Sequence, residues 1–433
     1  MADIDQSEID SYPTDWSIRR VDSLFDIQQG KSVSKAHRKG DNLKPFLRTK
    51  NVFWGRIAFT ELDQMHFTNT EETRLKLQAG DLLLCEGGDV GRTAIWDCQI
   101  DGCYYQNHLH RLRAKSAYEI DPQFALYWFW YAFEVANIYI GRSNVTTIPN
   151  LSQSKLSELQ LPKPEVYEQR RISHVLAKVQ AAIEQQARLI ALTRELKSML
   201  MRKLFTEGLC REKQKETEIG LVPESWEIRP LEDMTIAIDY GTSVKCDYAL
   251  KGFPVLRIPN VVGGRIDIGD LKYGHLKKNE IDNLKLAKGD LLFVRTNGVQ
   301  ENAGRCSMFN DEVDDCYFAS YLIRVRLDTS QLIPEYLNEY ARTEVGKSFL
   351  SGRAIRTADG KFNINSGTIR KVLVPVPKTN EQGKIARQLD LLAQKTNLYI
   401  QKQSLLQELF RALLDQLMTG QIRINDIDLP GFS

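Results

Sequence analysis

The sequence has no surplus charge of either sign, no paired cysteines and no long apolar run. Of 433 residues, 58 are Lys or Arg and 56 are Asp or Glu, a formal net charge of +2. Neither half is a basic tail, so unspecific electrostatic capture of nucleic acid or membrane is not expected. A neutral total still leaves room for a DNA-binding protein whose positive charge lies on one face. The cysteines, at 85, 98, 103, 210, 246, 306 and 316, are odd in number and form no C-x-x-C pair. That excludes a zinc ribbon or a disulfide scaffold and leads to an expectation of reduced thiols in the cytoplasm. The opening MADIDQSEID is acidic and polar, unlike a signal or transit peptide. The most apolar stretch, Phe124 to Ile140, contains Glu134 and falls short of the roughly 18–20 apolar residues of a bilayer span. We expect it to be a buried helix. With 42% hydrophobic and 26% charged residues, bulk disorder is excluded, and the length suits two or three domains.

Catalytic signatures are also missing. Gly30-Lys31-Ser32 and Gly346-Lys347-Ser348 look like the end of a phosphate-binding loop. The glycine required five residues earlier is absent, with Phe25 and Ala341 in its place. Glu86-Gly87-Gly88-Asp89-Val90-Gly91 is glycine-rich but does not spell a dinucleotide fingerprint. His108 and His110 fall on one face if the segment is a strand, yet no acidic third ligand accompanies them and the second half of the chain has Tyr321 and Ile323 there. There is no serine nucleophile elbow, no Asn-Pro-Pro-aromatic motif for amino methylation and no Pro-Asp…Glu-x-Lys nuclease core. No catalytic residue, metal ligand or bound cofactor is expected of this chain.

What the sequence does have is one internal repeat, at an offset of about 210 residues. Pro13-x-x-Trp16-x-Ile18-Arg19 returns as Pro223-x-x-Trp226-x-Ile228-Arg229. PFLRTKNVFWGRI from Pro45 returns as PVLRIPNVVGGRI from Pro254, and LKLQAGDLLL from Leu75 as LKLAKGDLLF from Leu284. Gly91-Arg92 matches Gly304-Arg305, and Cys103-Tyr104 matches Cys316-Tyr317. Leu161-Pro162-x-Pro164 with Glu168-Gln169 returns as Val374-Pro375-x-Pro377 with Glu381-Gln382. The chain is a tandem duplication.

Each copy opens with a body of short runs, such as Leu82–Leu84, Leu109–Leu112, Leu291–Val294 and Tyr321–Val325, separated by Gly, Asn and Asp turns. These read as strands. A helical stretch lies inside each body, near Pro122–Asn137 and Pro334–Phe349. A long segment poor in Gly and Pro follows. In the first, Ile172, Leu176, Val179, Ile183, Gln186, Ile190, Thr193, Lys197, Leu200 and Leu204 step by four and three. In the second, Ile385, Leu389, Leu392, Thr396, Tyr399, Gln403, Leu406, Phe410, Leu413 and Leu417 do the same. This is a heptad seam. Thr379 or Asn380 can cap the second helix, with Gln382 as a capping-box partner, and Gly208 and Gly420 supply stops. Some 40 residues give a rod of about 60 Å. Each rod has one apolar stripe, so the simplest arrangement packs the two together, antiparallel if the duplication has two-fold pseudosymmetry. The fold class is therefore α+β: two tandem α/β bodies separated by two long helices packed as an antiparallel coiled coil. We place the domains at 1–165, 166–210, 211–377 and 378–433.

Between the strands lie loops rich in residues that reach base edges and phosphates. In the first body these are Lys31, Ser32, Lys50, Asn51, Trp54, Arg56, Asp89, Arg92, Gln106, Asn107, His108, Arg142, Ser143 and Asn144. In the second they are Thr242, Ser243, Lys245, Asn260, Arg265, Arg295, Thr296, Asn297, Arg305, Ser320, Arg353, Arg356, Lys361 and Asn363. Scaffold runs persist between the copies while Gln106-Asn107-His108 becomes Ala319-Ser320-Tyr321. Two copies of one scaffold with different loop chemistry suit two readers of different sequences.

The order Pro-x-x-Trp, Gly-Asp-Leu-Leu, Gly-Arg, Leu-Pro-x-Pro…Glu-Gln and a long helix ending Leu-Phe-Thr-x-Gly resembles the specificity subunit of type I restriction-modification enzymes. Both copies match, most distinctively at Leu161–Gln169, Val374–Gln382 and Leu417–Ile424. The resemblance implies two target-recognition domains joined by conserved spacer helices, non-catalytic itself and reading a bipartite, asymmetric site on double-stranded DNA. It implies as partners two modification subunits, which carry S-adenosylmethionine and methylate adenine N6, and two ATP- and Mg2+-dependent restriction subunits, with no membrane. It carries over no individual base contact, because these loops diverge within the family. Two other readings stay open: a methyltransferase or nuclease with its own recognition domains, and a helical scaffold without a DNA role.

Overall fold

The computed structural model describes residues 12–34, 38–137 and 150–424. It divides into two units, Met1–Ala187 with Gln401–Ser433, and Arg188–Ile400. In the first, an antiparallel sheet runs in the order Phe25–Gln29, Leu109–Ala114, Leu82–Cys85, Thr93–Ile95. Leu82 and Leu84 enter one core and Leu83 and Cys85 another, because successive side chains of a strand point to opposite faces. A run that is buried on both faces reads as uninterrupted leucine for that reason. A smaller sheet places Leu43–Leu47 between Asp63–His66 and Tyr104–Tyr105. Ser17–Arg20 pairs with Gln160–Lys163 and so brings the two ends of the body together.

The second unit repeats this plan. Its four-stranded sheet runs Thr235–Tyr240, Leu322–Leu327, Leu291–Val294, Cys306–Met308. Phe253–Leu256 lies between Lys272–Gly274 and Tyr317–Phe318, and Glu227–Pro230 pairs with Leu373–Val376. The Gly-Asp-Leu-Leu runs are held by an equivalent ion pair between a buried aspartate and a half-buried arginine. The Asp81 carboxylate takes Nε and Nη2 of Arg113, both at 2.7 Å, and Asp290 takes the same fork from Arg326 at 2.8 and 2.7 Å. Each aspartate also accepts a backbone N–H, from Gln78 or Ala287. A bidentate pair that is fully hydrogen-bonded tolerates burial where a lone carboxylate does not.

In the described part of the apolar stretch Pro122–Trp130 is a buried helix, continued by a wider turn over Tyr131–Val135; its last three residues, 138–140, lie outside the described residues. Its counterpart is two helices, Pro334–Tyr340 and Glu344–Phe349, rather than one. The Thr343 side chain accepts the Gly346 N–H at 3.0 Å and starts the second. A Cβ on Gly346 would lie 2.3 Å from the Tyr340 carbonyl oxygen. Gly346-Lys347-Ser348 is thus a helix junction and not a phosphate cradle.

The long helices are Val166–Glu207 and Thr379–Met418, and every seam position named above is buried or half-buried. In the first unit, Ile172 and Leu176 from the start of one helix share a core with Phe410, Leu414 and Leu417 from the end of the other. In the second, Leu204 and Phe205 share a core with Ile385, Ala386 and Leu389. In each unit the start of one long helix lies beside the end of the other, which is antiparallel pairing.

Gln382 is not a capping-box partner. Its carbonyl accepts the Ile333 N–H and its amide donates to the Gln331 and Pro377 carbonyls. Gln169 makes the same three bonds, to the Asp121 N–H and the Glu119 and Pro164 carbonyls. Both amides are fully buried. The Pro-x-x-Trp motif sits on the glycine that ends a long helix: Gly420 lies against Pro13 and Trp16, and Gly208 against Pro223 and Trp226. Both glycines have positive φ, 70° and 65°, a helix-stop conformation that disfavours a side chain. Arg423 then joins the last residues to the first helix, binding Glu168 at 2.8 and 2.9 Å and Asp15 at 2.9 and 2.7 Å.

Replacing Gln169 or Gln382 with Leu leaves an N–H and two carbonyls without partners. Each change should cost about 1–3 kcal/mol, seen as a lower urea midpoint with unchanged slope. An unaltered midpoint would show that the amides do not tie body to helix.

Candidate functional site

One end of each four-stranded sheet gathers three loops. In the first unit the chain leaves the sheet at Gly30, where a Cβ would lie 2.3 Å from the Gln106 carbonyl oxygen. The equivalent Gly241 would place one 2.2 Å from that of Phe318. Only glycine permits this approach. Backbone bonds then sew the loops together. In the first unit Asn107 N–H donates to Lys31 O, Glu86 N–H to His108 O and Leu151 N–H to Glu86 O. In the second, Ser320 N–H donates to Thr242 O, Arg295 N–H to Tyr321 O and Ile364 N–H to Arg295 O. The two sets correspond bond for bond.

At the first tip Ser32, Asp89 and His108 are exposed and Asn107 is half-buried. Asp89 pairs with Arg92 at 2.9 Å. Arg142, Ser143 and Asn144 lie outside the described residues. At the second tip Ser243, Lys245, Arg353, Arg356 and Lys361 are exposed, while Arg295, Thr296, Asn297, Ser320 and Asn363 are half-buried. Thr296 and Asn297 pair with Asn363 and Phe362, and Ile355 and Arg356 extend that small sheet. It has no counterpart among the described residues of the first unit. The tips also hold residues that loop composition did not single out: Gln29, Glu86 and Gln153 in one, Tyr240, Tyr321 and Ser366 in the other. Aligning the copies through the strands pairs Gln29 with Tyr240, Glu86 with Arg295 and His108 with Tyr321.

Five candidates are scaffold. Asn51 and Asn260 are buried, each closing a turn by accepting one backbone N–H and donating to carbonyls across the loop. Lys31 is buried under Phe67, with Nζ 2.5 Å from Glu71 and 2.8 Å from His66 O. Thr242 takes its place in the second unit and donates to Glu280 at 2.7 Å. Gln106 is buried and forms a β-bridge with Lys31. His108 and His110 do not share a strand face either: His108 is in the turn, while His110 is buried with Nε2 3.0 Å from Leu151 O. Burial pushes the His110 imidazole below its usual range. Among the described residues no group of His, Cys, Asp or Glu side chains could hold a metal ion.

The remaining candidates make other contacts. Trp54 stacks on Trp130 at 5.4 Å and donates to Glu134 at 3.0 Å. Arg56 and Arg92 lie over the Phe53 ring. Arg265 pairs with Asp390 of the second helix at 2.9 Å, and Arg305 donates to Val262 O. Lys50 is exposed, 3.6 Å from Glu61.

The type I restriction modification DNA specificity domain matches residues 13–194 and again 223–408. The chain belongs to that family. It is a DNA specificity module, not a catalytic one, and this chain carries it twice. Curated relatives include the EcoKI specificity subunit of Escherichia coli, 24% identical over 88% of this chain and 82% of that one. The MjaVIII specificity subunit of Methanocaldococcus jannaschii is 22% identical over 96% and 95%. Among solved structures, the S subunit from M. genitalium aligns with a TM-score of 0.57 at 18% identity, covering 93% of this chain and 96% of that one. The fold is therefore that of a type I specificity subunit. Among the described residues no helix is long and apolar enough to cross a membrane.

Burial raises the Glu71 carboxyl, but the Lys31 ammonium and the Thr68 backbone N–H outweigh it and hold the group down to about 2. A depressed carboxylate contributes stability above its unfolded pKa, about 4.3, and that contribution fades as pH falls toward the folded value. Lys31→Met should therefore lower stability at pH 7 and flatten its loss between about pH 4 and 2. Denaturation followed across that window would reveal an unchanged slope if the pair were unimportant.

Proposed function

We propose that this chain reads a split, asymmetric site on double-stranded DNA, one half per unit, with the long helices fixing the unread spacer. The carrying observation is the pair of tips: identical backbone stitching, with different side chains at Gln29/Tyr240, Glu86/Arg295 and His108/Tyr321. A scaffold held constant while its reading residues vary suits two half-sites of different sequence. Half-sites on one face of B-DNA recur about every 34 Å, within the span of helices about 60 Å long.

Two modification subunits would dock on the helices, bringing S-adenosylmethionine for adenine N6 methylation, and two restriction subunits would add ATP- and Mg2+-dependent translocation and cleavage. Exposed leucines support docking. Leu391, Leu398 and Leu405 repeat every seven residues, and Leu192, Leu196 and Met199 form a second stripe. In the second unit, a groove of about 810 Å3 opens beside Met199, Leu221, Val345 and Ile400. Apolar stripes of this spacing fit partner helices. Because the partner must extrude its adenine, the tips would grip a distorted duplex.

Gel-shift titration of the chain with its modification subunits, on duplexes with varied half-sites and spacers, tests the reading. Binding that ignores sequence or spacer length would overturn it. Inserting four helical residues after Thr193, about 6 Å, should lengthen the preferred spacer and leave both half-sites unchanged.

A further inference from the structure

The middle of the three corresponding tip positions, Glu86 in one unit and Arg295 in the other, carries opposite hydrogen-bonding character. In the first, Glu86 is nearly buried at 7% exposure. Its carboxylate accepts Gln29 Nε2 at 3.1 Å and lies 3.7 Å from Nδ1 of the exposed His108. The middle of that centre is an anionic acceptor. In the second unit the same place holds Arg295. Its guanidinium lies 5.0 Å from the centre of the Tyr240 ring, and one Nη1 donates to Ser320 O at 3.3 Å. Tyr240 is itself fixed, its hydroxyl donating to Ser366 Oγ at 3.3 Å and accepting the Ser366 N–H at 3.0 Å.

The backbone of Arg295 is sewn to Tyr321 on one side and Ile364 on the other. Among the described residues, no carboxylate pairs with this guanidinium and its Nε and Nη2 atoms make no hydrogen bond. Those two donors form one straight edge of the fork. A planar fork stacked on an aromatic ring loses little freedom when it binds. Arg353, Arg356 and Lys361 are exposed on the same tip, as phosphate contacts would require.

We propose that Arg295 reads a guanine in the half-site of the second unit, its Nε and Nη2 donating to O6 and N7. This rests on the split-site reading above. Guanine alone offers two adjacent acceptors in the major groove, and arginine is their commonest partner. The Glu86 carboxylate would repel those acceptors, so the two units cannot ask for the same base at this position.

The test is sequence selection by the chain assembled with its modification subunits, at fixed salt, from duplexes randomised in both half-sites. The wild-type complex should select a bipartite site with guanine in the half that the second unit reads. R295A should relax selection at that one base pair by about tenfold or more and leave the other half untouched. R295K, which keeps the charge but loses the fork, should relax the same position and bind as salt-sensitively as the wild type. It also stands in if R295A fails to assemble. A wild-type complex that selects a bipartite site which neither variant alters would overturn the role of Arg295 alone. A wild-type complex that selects no sequence would overturn the split-site reading, and this inference with it.

Discussion

A glutamine amide at the fourth residue of each long helix carries the connection between a sheet body and the helix that follows it. Gln169 and Gln382 each satisfy an N–H and two carbonyls that would otherwise be buried without partners. Those bonds join three segments: the proline-bounded strand end, the loop before the body's inner helix, and the long helix itself. A helix can act as a ruler only if what it carries cannot swivel. The tip loops lie at the far side of the same sheets, so any slack at the glutamine would be magnified at the tips. Near the opposite end of each helix, the Pro-x-x-Trp motif on a positive-φ glycine does the complementary job. Strand pairing of Ser17–Arg20 with Gln160–Lys163, and of Glu227–Pro230 with Leu373–Val376, closes each body between the two anchors.

The scaffold was legible because its requirements are local and duplicated. Period-four-and-three apolar steps, leucine runs buried on both faces, and the Gly and Pro punctuation each have one structural solution, and finding them twice in order removed chance. The tips were only partly legible. Loop composition cannot distinguish Asn51, which closes its own turn, from Asn107, which faces outward. It cannot show that Lys31 lies under Phe67 or that Arg265 reaches a helix. Both depend on contacts between segments tens of residues apart. Aligning the two copies adds a signal: Glu86 and Arg295 occupy one place on the repeated scaffold and differ, whereas Asn51 and Asn260, identical in both copies, are buried. A change between copies is not enough by itself, because Lys31 and Thr242 also differ and are buried. Gln382 illustrates the converse error. Its spacing from Thr379 fits a capping box, yet a deeper set of bonds claims the amide.

The near-zero net charge also has a structural explanation. Many arginines are spent inside the bodies. Arg111, Arg113, Arg324 and Arg326 pair with Asp26, Asp81, Asp239 and Asp290 on the sheets, and Arg48 and Arg257 pair with Asp63 and Asp270 beside the buried asparagines. These pairs cancel in the total. In the second unit, Lys245, Arg295, Arg353 and Arg356 have no carboxylate partner among the described residues and lie together at the tip. A chain that grips DNA as one member of a larger assembly can leave counterion release largely to its partners. An unpaired guanidinium group at a tip then serves where direction matters more than strength. A stacked arginine with a free edge discriminates between bases, whereas a mobile lysine on a basic tail only attracts the duplex.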